Sequence, residues 1–133
     1  MKQFETDHTG YLVERIDEAS AIFKSLGYKA EGDVVEDLRQ RAKLLIMRDG
    51  GGRRIELVEP FADNRSLRKM LLSGGPGPYH ICYRTDDPAA TAGDLEEEGW
   101  VTLFPPTPAP ALGGKTICYL WRREVEFIEL VEN

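Results

Sequence analysis

One pentapeptide, Ile-Glu-Leu-Val-Glu, occurs twice in this chain, at Ile55 to Glu59 and again at Ile128 to Glu132. Each copy follows a histidine at nearly the same distance: 48 positions separate His8 from Glu56, and 49 separate His80 from Glu129. Each histidine is also followed, 19 positions later, by a glycine and then an aromatic residue, Gly27-Tyr28 and Gly99-Trp100. Five matched residues alone could coincide in two strand-like segments. Three landmarks in one order at near-equal spacing point instead to duplication of a unit of about 70 residues. The fold must therefore accommodate two copies of one supersecondary unit.

Each copy reads β-α-β-β-β. In the first, Thr9 to Val13 is a short apolar strand. Asp17 to Leu26 carries apolar residues at Ala19, Ile22, Phe23 and Leu26, which is helical spacing. Asp17 lies in the N-cap region and Gly27 where a C-cap glycine belongs. Lys29 to Val35 begins a second strand and Lys43 to Met47 forms a third. The turn signal Asp49-Gly50-Gly51-Gly52 then leads into the Arg54 to Glu59 strand. In the second copy Tyr79 to Thr85 is a strand. Asp86-Asp87-Pro88 starts a helix that runs to Glu98 and stops at Gly99. Trp100 to Phe104 is a strand, and Pro105 to Gly114, with four prolines and two glycines, is expected to be a loop. Thr116 to Trp121 and Val125 to Val131 form a hairpin over Arg122-Arg123-Glu124. Between the copies Ser66 to Leu72 is expected to be a short helix and Ser73 to Pro78 a linker. The fold class is thus α+β: one domain over 1–133, with module one at about 4–60, a linker helix region at about 61–78 and module two at about 79–132.

Composition narrows the partners. Seventeen basic against 23 acidic side chains leave a formal net charge of −6, which disfavours a nucleic-acid partner. A small anionic molecule needs only a few local cations and is not excluded. Residues 1–18 carry charges throughout and offer no apolar signal-peptide core, and no run reaches the roughly 18 apolar residues of a membrane span. Two cysteines, Cys82 and Cys118, make no disulfide framework and are read as reduced thiols in a cytoplasmic protein.

Strand alternation isolates a set of four residues. In each pentapeptide Ile and Leu share one face, while Glu and Val share the other. A carboxylate in an otherwise apolar strand is either on a solvated face or inside with a partner, because an unpaired buried carboxylate costs several kcal/mol or more. A single glutamate is usually solvated and a single histidine is usually a surface or hydrogen-bonded residue. Here the chain's only two histidines open the repeat and the two glutamates close it. A duplicated sheet brings His8, Glu56, His80 and Glu129 to pseudo-equivalent places. Two neutral imidazoles and two carboxylates form a neutral N2O2 set for one divalent metal ion, which suits Zn, Ni, Co, Mn or Fe alike.

Several segments carry a family likeness: Asp7-His8-Thr9-Gly10, Gly27-Tyr28, Ile55 to Pro60, Gly77-Pro78-Tyr79-His80-Ile81 and Phe127-Ile128-Glu129-Leu130. Over about Phe4 to Glu132 the chain resembles the glyoxalase, or vicinal oxygen chelate, superfamily, and within it the methylmalonyl-CoA epimerase-like branch. The resemblance implies two βαβββ modules forming a cupped, incomplete barrel, a homodimer, and His8, Glu56, His80 and Glu129 as metal ligands. It also implies an isomerase, epimerase or lyase that acts on a small carbonyl substrate, such as an acyl-CoA or a glutathione adduct, through a metal-stabilised enolate. Glu129 is then the first candidate for the catalytic base and Glu56 the second.

The chain departs from that pattern where the epimerases carry a second acid/base glutamate. Here the neighbourhood reads Asp37-Leu38-Arg39-Gln40-Arg41-Ala42, with Arg39 or Gln40 at the glutamate's position. Arg39, Arg41 and Lys43 alternate onto one strand face, which is either solvated or holds an anionic substrate group. Lys115, after Gly113-Gly114, and Cys82, two residues after His80, are further substrate-binding candidates, each with a plainer account as a turn lysine and a small core residue. Two other activities fit the same fold: an iron-dependent ring-cleaving dioxygenase, and a ligand-binding protein of the bleomycin-resistance type.

Overall fold

The computed structural model describes residues 2–133. It divides into two compact units. A central unit runs from Thr9 to Pro78, and a terminal unit joins the residues up to His8 with Tyr79 to Asn133. The first strand, β1 (Glu5–Leu12), starts in the terminal unit and ends in the central one.

The central unit continues with α1 (Ile16–Ser25), β2 (Lys29–Ala30), β3 (Val35–Asp37), β4 (Ala42–Arg48), β5 (Arg54–Pro60) and α2 (Arg65–Gly74). Its strands lie in the order β2-β4-β5-β1, with β3 also paired to β4. β5 runs parallel to β1 and antiparallel to β4. Alternation sends Leu45, Met47 and Leu57 to one face, where they pack with Val13 and Ile16 against Ala19 and Phe23 of α1. Burying a side chain of this size contributes about 1.5–3 kcal/mol. Arg15, at the helix N-cap position, makes no side-chain cap. Glu59 does it from a distance, its Oε1 accepting the Ile16 N–H at 2.8 Å. At the other end Gly27 follows at φ +90°, a conformation that glycine adopts without a Cβ penalty.

The terminal unit holds all but the first two residues of β6 (Gly77–Thr85), then α3 (Pro88–Glu97), β7 (Val101–Ala109), a single 3-10 turn over Pro110–Leu112, β8 (Lys115–Arg122) and β9 (Glu126–Glu132). The order is β6-β9-β8-β7, parallel between β6 and β9 and antiparallel elsewhere. Arg84 of β6 ties down the start of β1 by donating to the Glu5 carboxylate and the Thr6 carbonyl. Asp87 caps α3 by accepting the Ala90 N–H, and Pro88 takes a first-turn place where no intrahelical N–H is needed. α3 covers a core of Cys118, Leu120, Ile128 and Leu130 through Ala92 and Leu95.

Along the chain the expected β-α-β-β-β order occurs twice, with the second strand of the first copy split into β2 and β3, and the fold class is α+β as read from the sequence. Four details differ. The stretch Pro105 to Gly114 is not a loop throughout: β7 runs on to Ala109. Its pairing with β8 shifts register between Phe104 and Thr107, and Pro105 and Pro106 fall within that irregularity. β7 is also the terminal strand of its sheet, a position that tolerates missing N–H donors. The expected strand from Lys29 to Val35 is broken into β2 and β3, because Gly32 turns the chain at φ +92°. Arg39 and Arg41 sit in the β3–β4 turn and share no strand face with Lys43. The expected helix between the modules is present as α2, capped by Asn64, which accepts the Leu67 N–H. The expected linker ends sooner, since β6 begins at Gly77.

No helix among the described residues is long and apolar enough to cross a membrane. Cys82 and Cys118 are both free and buried.

Candidate metal centre

Ile128 and Leu130 pack toward α3, so alternation turns Glu129 to the other face of β9. On that face Glu129 lies opposite Tyr119 of β8 and opposite Cys82 of β6. His80, two residues before Cys82, takes the same face of β6 and is opposite Phe127. His8 reaches the same place from the N-terminal part of β1. Its Nε2 lies 3.0 Å from Glu129 Oε1, and His80 Nε2 lies 3.2 Å from that same oxygen. The two Nε2 atoms are 3.4 Å apart. All three residues are buried, Glu129 to 1% exposure.

Behind His8 stands a fourth group. Asp7 Oδ2 is 2.8 Å from His8 Nδ1. Both His8 nitrogens thus face a carboxylate, and an ion between Nε2 and Glu129 would leave the imidazole proton on Nδ1, with Asp7 accepting it. Burial pushes the Glu129 carboxyl up, but hydrogen bonds and charge from His8 and His80 outweigh it and hold Glu129 below the ordinary carboxylate range. Burial lowers the pKa of His80, with Glu129 opposing. The neutral imidazole is thus the favoured form of His80, as a metal ligand requires.

Without a proton on either Nε2, these three atoms are all acceptors and repel in a buried space unless a cation lies among them. Their separations suit one. Bonds of about 2.0–2.1 Å to a divalent ion place tetrahedral neighbours about 3.3–3.4 Å apart and octahedral neighbours about 2.8–3.0 Å apart. The observed 3.0, 3.2 and 3.4 Å fall across that range. The donor set, two nitrogens and a carboxylate, is borderline in softness and fits Zn, Ni, Co, Mn or Fe. This buried His/Glu group could hold a divalent metal ion.

Aromatic rings hold His80 in place. Tyr79 meets it edge to face at 4.6 Å and Tyr119 at 5.2 Å, and Phe104 packs on Tyr119 at 5.2 Å. Sequence reasoning assigned no role to Asp7 or Tyr119. The signal for Tyr119 was available, because it alternates with Ile117 and Trp121 along the strand that pairs with Glu129.

In the central unit Glu56 is likewise buried, at 2% exposure, on the face of β5 turned away from α1. It pairs with Gly10 of β1 and Ile46 of β4. Its setting repeats that of Glu129, since each glutamate lies across from the residue two positions beyond a histidine.

The remaining candidates are dispersed. Cys82 is buried beside the centre, in a group with Asp7 and His8 whose potential ligand atoms all lie within 4.8 Å of one another. Lys115 is exposed at the start of β8, opposite Ala109. Arg39 is exposed in the β3–β4 turn, where its N–H is accepted by Asp37. Asp37 also accepts from the backbone and side chain of Gln40, so its carboxylate is committed to shaping that turn.

A family model described as Glyoxalase/Bleomycin resistance protein/Dioxygenase superfamily matches residues 7–119, most of the chain. The chain belongs to that superfamily. Its fold is shared by a hypothetical protein from Bacillus halodurans, at 24% identity and a TM-score of 0.84, with 99% of this chain and 96% of that one covered. A methylmalonyl-CoA epimerase in complex with methylmalonyl-CoA and NH4+ matches at 23% identity and a TM-score of 0.84, covering 99% and 96%. Methylmalonyl-CoA epimerase from Mycobacterium tuberculosis matches at 23% and 0.82, covering 96% and 86%. At these identities the likeness establishes the fold. No curated protein matches the chain in sequence. The superfamily includes both enzymes and resistance proteins by its own description, so the reaction has to be argued from the residues.

Proposed function

We propose that this member of the superfamily is a divalent-metal-dependent isomerase, epimerase or lyase that moves a proton at a carbon next to a carbonyl, on a small substrate such as an acyl-CoA or a glutathione adduct. The observation that carries this is the convergence of His8 Nε2, His80 Nε2 and Glu129 Oε1 within 3.4 Å of one another in a buried site. His8, His80 and Glu129 would hold the ion. Glu56 is the fourth ligand in this reading. It is buried and lies across from Gly10, and Gly10 shares a face of β1 with His8.

A bound dication supplies Lewis acidity, which lowers the cost of negative charge on a substrate carbonyl oxygen. The protein's own part is proton transfer. Glu129 presents Oε1 beside the two imidazole Nε2 atoms, where it would share the ion with them, and its Oε2 is the atom that would take the substrate proton. Its lowered pKa keeps it ionised at neutral pH and ready to accept. The half-buried Phe127 and Trp121 lie on the same face, by their pairing with His80 and with each other, and would keep water from the reacting carbon.

Two measurements test the reading. Metal analysis of purified protein should find about one divalent ion per chain, and His80→Ala should abolish binding at micromolar metal. Full occupancy in that variant would remove the assignment. Acyl-CoA and 2-oxo-aldehyde–glutathione substrates are then screened in deuterated water by mass spectrometry. Deuterium should enter at the carbon next to the carbonyl. Oxygen uptake without exchange would instead select the dioxygenase chemistry.

A further inference from the structure

Building on the metal-centre reading, we infer that Asp7 is a positioning residue: its carboxylate fixes the His8 proton on Nδ1 and thereby presents Nε2 as a ligand. Oδ2 of Asp7 stands 2.8 Å from His8 Nδ1, with the two side chains 11% and 0% exposed. A neutral imidazole carries its proton on one nitrogen or the other, and the wrong tautomer would point an N–H at the centre. Both His8 nitrogens face a carboxylate that has no proton to give, but Glu129 Oε1 also has His80 Nε2 at 3.2 Å, whereas Asp7 Oδ2 stands closer to His8, at 2.8 Å against 3.0 Å, and takes the proton on Nδ1. It also stops the ring from flipping, since the flip would set Cδ2 against Asp7 and Cε1 against Glu129 in place of the two nitrogens.

The two histidines are held differently. The residue before His80 is Tyr79, which has no carboxylate to offer, and that ring is fixed by edge-to-face packing with Tyr79 and Tyr119 at 4.6 and 5.2 Å. The repeat therefore duplicates the ligands and not their supports. His8 is oriented by charge and His80 by packing. Asp7 also places a negative charge directly behind a ligand, which increases the basicity of Nε2. It lies one residue from His8 on a strand anchored through Arg84 to Glu5 and Thr6, so its reach is short and its geometry fixed.

The test compares wild type, Asp7→Asn and Asp7→Ala by two readouts. The first is histidine 15N NMR of metal-free protein at a pH where both imidazoles are neutral. Wild-type His8 should carry its proton on Nδ1, and Asp7→Ala should shift it toward the Nε2–H form while His80 is unchanged. The second is calorimetric titration with Zn2+. Affinity should fall about 10- to 100-fold in Asp7→Ala. Asp7→Asn, whose amide oxygen can still accept from Nδ1, should fall between the two and keep the wild-type tautomer. A lowered stability with no tautomer change would mark a merely structural residue and overturn the inference. So would a wild-type dissociation constant in Asp7→Ala. Wild-type protein that binds no divalent ion would overturn the metal reading itself, and the NMR comparison would still judge Asp7.

Discussion

Cys82 lies directly across from Glu129 in the parallel register of β6 and β9. The thiol is fully buried, and burial, with the Glu129 charge adding to it, raises its pKa far above the ordinary value. Cys118 is equally buried on the other face of β8 and contacts the Phe104 carbonyl at 3.7 Å. A thiolate is the reactive form, so neither cysteine should react with Ellman's reagent in native protein. Two thiols per chain should appear only in denaturant. Rapid labelling of the native chain would contradict the packing around Glu129.

Glu129→Gln separates binding from proton transfer. The amide has a similar shape and one oxygen that can still ligate, so metal affinity should fall moderately. If Glu129 is the base, solvent exchange of the substrate proton should fall by about 10²-fold or more at saturating metal. An exchange rate equal to wild type, with bound metal verified, would leave Glu129 as a ligand alone and send the search for the base to Glu56.

The last glutamate of each pentapeptide does a different task. Glu59 accepts the Ile16 N–H at the start of α1, whereas Glu132 accepts the Thr116 N–H in β8. Removing a helix N-terminal acceptor costs about 0.5–2 kcal/mol. Glu59→Ala should lower the urea midpoint accordingly, and Glu59→Gln should recover most of the loss because its amide oxygen still accepts. Equal loss in both variants would show that the charge, rather than the hydrogen bond, is what matters.

Gly27 and Gly99 stand just past the ends of α1 and α3 at φ +90° and +96°. Alanine at either should cost about 1 kcal/mol from the left-handed backbone alone. A Cβ at Gly27 meets open space, whereas at Gly99 it would fall 2.4 Å from the Arg122 guanidinium. That group is the end of a flexible side chain and can swing away, giving up its hydrogen bond to the Gly99 carbonyl. Urea unfolding should therefore rank Gly99→Ala below Gly27→Ala by a few tenths of a kcal/mol. A much larger gap would mean that Arg122 cannot move.

The repeat was legible because two signals agreed. Period-two alternation placed Glu56 and Glu129 on one face of their strands, and equal spacing tied each to a histidine. The helix ends at Gly27 and Gly99 were legible through the same duplication. What could not be read follows from contacts beyond one strand. Prolines at 105, 106 and 108 suggested a loop, and only the place of β7 at the end of its sheet lets them remain in a strand. The break at Gly32 depends on two short segments each finding β4. The role of Asp7 depends on a side-chain rotamer, about which the order of residues is silent. Glu59 and Glu132 occupy identical places in identical pentapeptides, and their different partners arise from what precedes each copy.

The prolines of β7 also bear on how copies of this chain meet. A terminal strand usually offers a row of N–H and C=O groups onto which another chain can add. Three of the nine residues of β7 are proline and have no N–H to give, and the register irregularity around Phe104 disrupts the remaining ladder. A newcomer strand would find gaps where it needs donors. The sequence thus seals this margin against open-ended growth while leaving the inward side chains free to vary. Selection can rework the rings around His80 without at the same time creating a fibre-forming border.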